Sequence, residues 1–196
     1  MAKVVNSEEI LESTAKLMLR VFSEDYDARF EEMLVSGGGG NSMFVNAWQK
    51  PSKEFIKNRI SSQAKKRLAD YGYTLETMPH GFLCNNAKGA QKRKANGKEL
   101  HMDHNPGNVT VLHLIRDRVR AYKNKKGSYE QQLADLKEFI RNVQTLDIIT
   151  VEQDDIRTLK DDRFTKKQKD MMSSKERDEL LGDDFEELGP GFKYKF

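Results

Sequence analysis

The stretch Glu99-Leu-His-Met-Asp-His-Asn-Pro106 decides how this chain folds. Apolar and polar residues alternate up to a proline, which predicts a β-strand that ends in a turn. Near the end of this strand, Asp103 and His104 are adjacent. A carboxylate can bind a divalent metal ion, and an imidazole can accept a proton from water near neutral pH. The pair therefore points to hydrolysis of a phosphodiester, although a surface strand whose polar residues only face solvent has the same pattern.

The sequence after this strand predicts a second strand that leads directly into a helix. Residues 145–149 alternate and are rich in β-branched side chains, which is typical of a strand. Thr150-Val-Glu-Gln153 then fits a capping box, which begins a helix. Between the two strands, an apolar stripe predicts a helix over residues 128–143, and residues 109–115 fit either a strand or the beginning of a helix. These elements indicate an α+β fold that is mostly helical and contains a small ββα-metal unit.

The N-terminal half is predicted to be mainly helical. Apolar residues at three- and four-residue spacings predict a helix over residues 7–35, interrupted near residues 25–27. Such a stripe is typical of a core or of a dimer seam, so a homodimer through the N-terminal helices is one expectation. The four glycines at 37–40 predict a flexible joint. A second helix is predicted over residues 52–70, followed by a short strand over residues 74–78.

Composition limits the class of protein. The chain has 196 residues, of which 37% are hydrophobic and 33% charged, which suits one domain with helical extensions. The sequence contains neither a run of about 18 apolar residues nor a secretory signal, so we expect a cytoplasmic protein without a membrane partner. The single cysteine, Cys84, excludes an internal disulfide and a zinc site built from paired thiolates. The predicted regions are an N-terminal helical region (1–36), a helix with a basic loop (37–98), the ββα unit with a helical insertion (99–160) and a charged, partly flexible tail (161–196).

Positive charge is concentrated in the centre of the chain. Residues 50–98 contain twelve Lys or Arg and three Asp or Glu, whereas residues 1–35 and 170–196 each contain four basic and eight acidic residues. A basic centre between acidic ends is typical of a protein that binds nucleic acid, although charge that only solvates exposed helices looks the same. The candidate nucleic-acid contacts lie on the helix 52–70 and in the polar loop before the Asp-His strand; they are Lys65, Lys66, Arg67, Lys88, Lys92, Arg93, Lys94 and Lys98.

Residues 99–160 resemble the HNH family of ββα-metal endonucleases. In that family a strand ends in Asp-His followed closely by proline, an Asn opens a second strand, and nine residues later an Asn or His lies in the following helix. Here Asp103-His-Asn-Pro106 matches the first block, and Thr145 and Asp154 stand nine residues apart at the two later positions. The long interval between His104 and Thr145 implies a helical insertion between the two strands.

The resemblance implies a role for each matched residue. His104 would be the general base, and Asp103 and Asp154 would bind the metal ion. Carboxylate oxygens suit Mg²⁺ or Mn²⁺, whereas a histidine among the ligands makes Zn²⁺ or Ni²⁺ an alternative. His101 shares a strand face with Asp103, so it is a third ligand, a phosphate contact or a histidine satisfied within the strand.

Thr145 stands where the family often has an Asn that orients the catalytic imidazole. Because Thr is shorter, Asn142, Gln144 or a backbone carbonyl could orient His104 instead. The function that the resemblance implies is a metal-dependent DNA endonuclease of the phage-borne or restriction type. Two alternatives remain open: a nucleic-acid-binding protein without catalysis, and a structural protein built on the N-terminal helices.

Overall fold

The computed structural model describes residues 6–23, 48–49, 51–79, 81–84, 94, 97, 99–124, 127–158 and 172–188. In chain order the elements are α1 (Ser7–Ser23), β1 (Lys57–Ser61), α2 (Ser62–Asp70), β2 (Leu83–Cys84), β3 (Leu100–Asn105), α3 (Asn108–Tyr122), α4 (Tyr129–Asn142), β4 (Thr145–Thr150), α5 (Val151–Thr158), α6 (Ser174–Leu181) and β5 (Phe185–Glu187). The fold is α+β and mostly helical, as predicted. Within the described residues, no helix is both long enough and apolar enough to cross a membrane.

The chain forms two compact units, and each is assembled from two separate stretches. The helical unit contains residues 1–56 and 107–144, and the sheet unit contains residues 57–106 and 145–196. The predicted boundaries at 36, 98 and 160 differ from this division. The physical reason is that the helices inserted between β3 and β4 share one apolar core with α1.

The helical unit has one apolar core. The amphipathic stripes of α1, α3 and α4 face each other, and Trp48 is fully buried among them. The Trp48 indole donates a hydrogen bond of 2.9 Å to Gln144 Oε1, so its one polar atom is satisfied. A capping box at Ser128 begins α4, which confirms the predicted helix over residues 128–143. The buried residues include Leu11, Ala15, Met18, Leu112, Ile115, Leu136 and Ile140.

The sheet unit contains a five-stranded sheet in the order β2-β3-β4-β1-β5. Strands β3 and β4 are antiparallel over six pairs, from Leu100 opposite Thr150 to Asn105 opposite Thr145. Strand β1 runs parallel to β4, and β5 closes the edge antiparallel to β1. An apolar cluster joins the sheet to α2 and includes Ile60, Ala64, Leu68, Phe82, Leu100 and Ile148.

The strand-strand-helix order predicted for the Asp-His region is confirmed. Strand β4 ends at Thr150, and α5 begins at the next residue. Residues 109–115, for which the sequence left two possibilities, belong to helix α3. The structure therefore contains two antiparallel strands followed directly by a helix, with α3 and α4 between the strands.

Two predictions around β1 were wrong. Residues 57–61 are a strand and not part of a helix over residues 52–70, because this segment pairs with both β4 and β5. Pairing within a sheet outweighs the helical pattern of the local sequence. Helix α2 begins only after Ser61, whose side chain caps it by accepting a hydrogen bond from the Ala64 amide. Residues 74–78 form a turn instead of a strand, with the Thr74 amide bonded to Thr77 Oγ1.

Residues 172–188, which belong to the predicted charged, partly flexible tail, contain a helix and a strand. A capping box formed by Ser173 and Glu176 begins α6, and Gly182 ends it with a positive φ of 56°. Strand β5 then pairs with β1. Residues 24–35 of the predicted N-terminal helix, the glycine run, and residues 161–171 and 189–196 lie outside the described residues.

Candidate metal centre

The sheet gives β3 one polar face. Alternate side chains of a strand point to opposite faces, and Leu100 lies in the apolar core next to α2. His101, Asp103 and Asn105 therefore share the other face. His101 and Asn105 are buried, and Asp103 is half-buried. Buried polar groups of this kind must be paired or bound to a cation, so the row needs partners from neighbouring elements.

Helix α5 brings the second aspartate to this face. Its first turn is fixed by Thr150 Oγ1, which accepts a hydrogen bond of 3.2 Å from the Gln153 amide. Gln153 Oε1 in return accepts one of 3.0 Å from the Thr150 amide. This reciprocal pair is the capping box that the sequence predicted. It fixes the start of α5, where Asp154 stands next in the chain with only 3% of its surface exposed.

His101, Asp103 and Asp154 form a buried group that could hold a metal ion. Each side chain offers one ligand atom, and the three atoms lie within 4.8 Å of one another. His101 Nε2 is 3.5 Å from Asp154 Oδ1. The structure thus brings together all three residues that the sequence singled out as metal ligands. An imidazole nitrogen and two carboxylate oxygens are a donor set that divalent cations accept.

Two arginines, Arg157 and Arg177, donate hydrogen bonds to Asp103. Asp103 Oδ2 accepts hydrogen bonds from Arg177 Nη2 at 2.7 Å and from Arg157 Nη1 at 3.1 Å. Burial raises the pKa of Asp103, but the positive charges of Arg177 and Arg157 outweigh burial, and the net pKa is lower than usual. Asp103 is therefore a carboxylate at neutral pH. Both arginines bind the same oxygen of Asp103, Oδ2.

Arg157 also belongs to a larger ionic network that includes Arg59, Asp147 and Asp178. Arg59 binds Asp147 through two hydrogen bonds of 2.8 and 2.7 Å. Arg157 also bonds to Asp147 at 3.1 Å and to Asp178 at 2.8 Å, and Asn105 donates to Asp178 at 2.7 Å. The side chains of Arg157 and Asp147 are fully buried. Burial alone would lower the pKa of Arg59. The hydrogen bonds and negative charges of Asp147 and Asp178 together have the larger effect, so the net pKa is raised and the guanidinium stays charged. The network fastens α6 to the sheet.

His104 does not belong to the group of three metal-ligating side chains. It is half-buried and next to Asp103 in a regular strand, so the alternation of side chains directs it toward the other face. Its role as general base stays a prediction. Thr145 lies opposite Asn105 in the register, and its Oγ1 is 2.8 Å from Asp147 Oδ1 and 3.3 Å from the Asn105 carbonyl oxygen. Thr145 is therefore tied to the ionic network.

The predicted nucleic-acid contacts are partly neutralised within the protein. Lys65 forms an ion pair with Glu186, and Arg67 pairs with Glu99 and Glu152. Lys94 pairs with Glu152 as well. Lys66 is exposed on α2. Lys88, Lys92, Arg93 and Lys98 lie outside the described residues.

Sequence reasoning missed the arginine partners of the centre. Arg157 follows Asp154 by three residues and looked like an ordinary polar helix residue, and Arg177 stood in the predicted tail. Asp147 gave a usable signal, because an acid in the middle of an apolar strand requires a charged partner when that strand is buried. The sequence does not say which of many arginines supplies it.

The chain was compared with protein-family models, curated protein sequences and solved structures, and none of these comparisons gave a match.

Proposed function

We propose that this protein is a metal-dependent endonuclease of the HNH type that hydrolyses phosphodiester bonds in DNA. The observation that carries the proposal is the buried group of His101, Asp103 and Asp154 within a strand-strand-helix unit. Its donor atoms fit a divalent cation, and Mg²⁺ or Mn²⁺ suits the two carboxylates best. Such a cation, when bound, supplies Lewis-acid stabilisation of the charge that develops on the phosphate and on the leaving oxygen.

The side chains of the protein have distinct tasks in this proposal. Asp103 and Asp154 provide oxygen ligands, and His101 provides a nitrogen ligand. Arg157 and Arg177 keep Asp103 ionised and oriented through the bonds to its Oδ2. This leaves three ligand atoms, so part of the coordination sphere is open for substrate and water, as a catalytic site requires.

His104 is proposed as the general base by its resemblance to the Asp-His pair of HNH enzymes. An imidazole can accept a proton from water near neutral pH. For His104 to act beside the centre, the end of β3 must present two consecutive side chains to the substrate. His104 is the second-last residue of β3, which ends at Asn105.

A non-catalytic nucleic-acid-binding protein is the second candidate. It is favoured by one observation: Thr145 is bonded to Asp147 and the Asn105 carbonyl, at the place where HNH enzymes often have an Asn that orients the catalytic histidine. This candidate predicts DNA binding that is unaffected by a chelator and by His104→Ala.

Plasmid cleavage in the presence of Mg²⁺ or Mn²⁺ tests the proposal. We expect the wild type to nick or cut the plasmid, and His104→Ala, Asp154→Asn and added EDTA to abolish cleavage. Asp70→Asn is the matched control, because Asp70 is an exposed aspartate at the end of α2 in the same unit. DNA retention without cleavage under every metal would support the second candidate. Cleavage that survives both substitutions would overturn the assignment.

A further inference from the structure

We infer that His101 makes the centre selective for first-row transition metals over Mg²⁺. This inference rests on the proposed function, since it assumes that His101, Asp103 and Asp154 hold the metal ion. It goes further by assigning the choice of metal to one side chain.

Two further carboxylates near the candidate centre, those of Asp147 and Asp178, are already bonded within the ionic network. Both oxygens of Asp147 are bonded to Arg59, and Asp178 is bonded to Arg59, Arg157 and Asn105. Neither is free to join the ligand group. Within the described part of the chain, the candidate ligand group therefore consists of two carboxylates and one imidazole.

The arginines also weaken the negative charge of the ligand set. Asp103 shares its Oδ2 with two guanidinium groups, so it offers one oxygen rather than a bidentate carboxylate. Mg²⁺ binds through charge to oxygen ligands in near-ideal octahedral geometry and gains little from an imidazole. Mn²⁺ and the metals that follow it in the Irving–Williams order gain more from a nitrogen ligand. A ligand set with little net negative charge and one nitrogen donor therefore favours a transition metal over Mg²⁺.

The imidazole of His101 is positioned before any ion arrives. His101 lies in β3 between two neighbouring strands, opposite Ile149 of β4 and in register with Cys84 of β2. Only 8% of its surface is exposed. A ligand on a buried, doubly paired strand gains its geometry from the sheet, so little side-chain entropy is lost when a metal binds.

Metal titration of the full-length protein, freed of metal by a chelator and then dialysed, tests the inference. We expect isothermal titration calorimetry to show Mn²⁺ binding more than about tenfold tighter than Mg²⁺ binding. Electron spin echo modulation of bound Mn²⁺ should show coupling to a ¹⁴N nucleus. In His101→Asn the coupling should disappear, and the preference for Mn²⁺ should fall toward that of an all-oxygen site. His113→Asn, in the helical unit, and His104→Ala should both keep the coupling.

The outcomes separate the two proposals. If the wild type binds neither Mn²⁺ nor Mg²⁺, the metal centre of the proposed function is wrong and this inference falls with it. If Mn²⁺ binds without ¹⁴N coupling, or if Mg²⁺ binds as tightly as Mn²⁺, the inference is overturned while a metal-dependent nuclease remains tenable. The wild-type spectrum decides this even if His101→Asn fails to fold, and His101→Gln gives a second variant with a polar side chain.

Discussion

Asp103 and Asp147 lie directly opposite each other in the antiparallel pair of β3 and β4, and Arg157 Nη1 is 3.1 Å from one oxygen of each. Like charges at facing positions of two strands repel each other. The positive guanidinium of Arg157 offsets this repulsion, because it forms an ion pair with both carboxylates. One carboxylate of the candidate metal centre is thus coupled to the interior of the sheet unit.

Replacing Arg157 with methionine should strongly destabilise the sheet unit. Methionine fills much of the same volume, but Asp103 and Asp147 lose the charge between them. Removing one partner of a buried ion pair costs about 3–5 kcal/mol, because the remaining charge stays buried. Urea denaturation followed by circular dichroism measures the change. As a control, Lys57→Met removes the exposed pair with Glu187 and should cost about 1 kcal/mol or less. Equal effects of the two substitutions would contradict the role given to the network.

Replacing Asp178 with asparagine should loosen α6. Asparagine has the same shape but lacks the charge that Asp178 provides to Arg59 and Arg157. We expect hydrogen–deuterium exchange to become faster in the amides of α6 and β5, while exchange in the helical unit stays unchanged. Glu179→Gln is the matched control, because Glu179 is the next residue on the same helix and its side chain is mostly exposed. Unchanged exchange in Asp178→Asn would show that α6 is held by other contacts.

Divalent metal should stabilise the folded protein through the candidate centre. A ligand at about 100 times its dissociation constant adds about 2.7 kcal/mol to the free energy of unfolding when it binds only the folded state. Thermal unfolding with Mn²⁺ and with EDTA measures this difference. Asp154→Asn should remove it, whereas Asp70→Asn should keep it. A metal effect that persists in Asp154→Asn would place the bound ion elsewhere.

Stability of the helical unit should decline in strongly alkaline solution because of Tyr122. Burial raises the pKa of Tyr122 to about 12, and its hydrogen bond to Asp135 acts in the same direction. The unfolded chain has a tyrosine pKa of about 10, so the folded state holds this proton more tightly. The resulting stability is complete below about pH 10 and is lost as the pH rises toward about 12.

The pH dependence of urea denaturation in Tyr122→Phe checks this expectation. The slope of stability against pH between about 10 and 12 should be smaller than in the wild type. Tyr129→Phe changes an exposed tyrosine of the same unit and serves as the control. If Tyr122→Phe retains the full slope, other groups dominate the alkaline transition.

The sequence predicted the parts of the centre that depend on neighbouring residues in the chain. Alternation around Asp103 and the capping box at Thr150 are local patterns, and they were sufficient to place His101, Asp103 and Asp154 on one strand-strand-helix unit. Other local patterns, an apolar stripe over residues 128–143 and alternation over residues 145–149, predicted α4 and β4. The metal-ligand group therefore followed from short-range rules and one family resemblance.

Local sequence patterns could not predict ion pairs between residues that are distant in the chain. Arg177 meets Asp103 across 74 positions, and Arg59 meets Asp147 across 88. Such pairs follow from sheet order, which a single sequence does not reveal. The error at residues 57–61 has the same origin, since pairing with β4 and β5 converts an apparent helix into a strand.

The insertion between β3 and β4 leaves and rejoins the sheet at neighbouring points, because Asn105 and Thr145 are partners in the register. In the chain, the segment with α3 and α4 stands where an ordinary hairpin has a tight reverse turn. Translation therefore separates the two halves of the ββα unit in time: β3 leaves the ribosome well before the strand that must pair with it. During that interval His101 and Asp103 have neither Asp154 nor Arg177 beside them. A metal centre built in this order would stay incomplete until α5 and α6 had both been made.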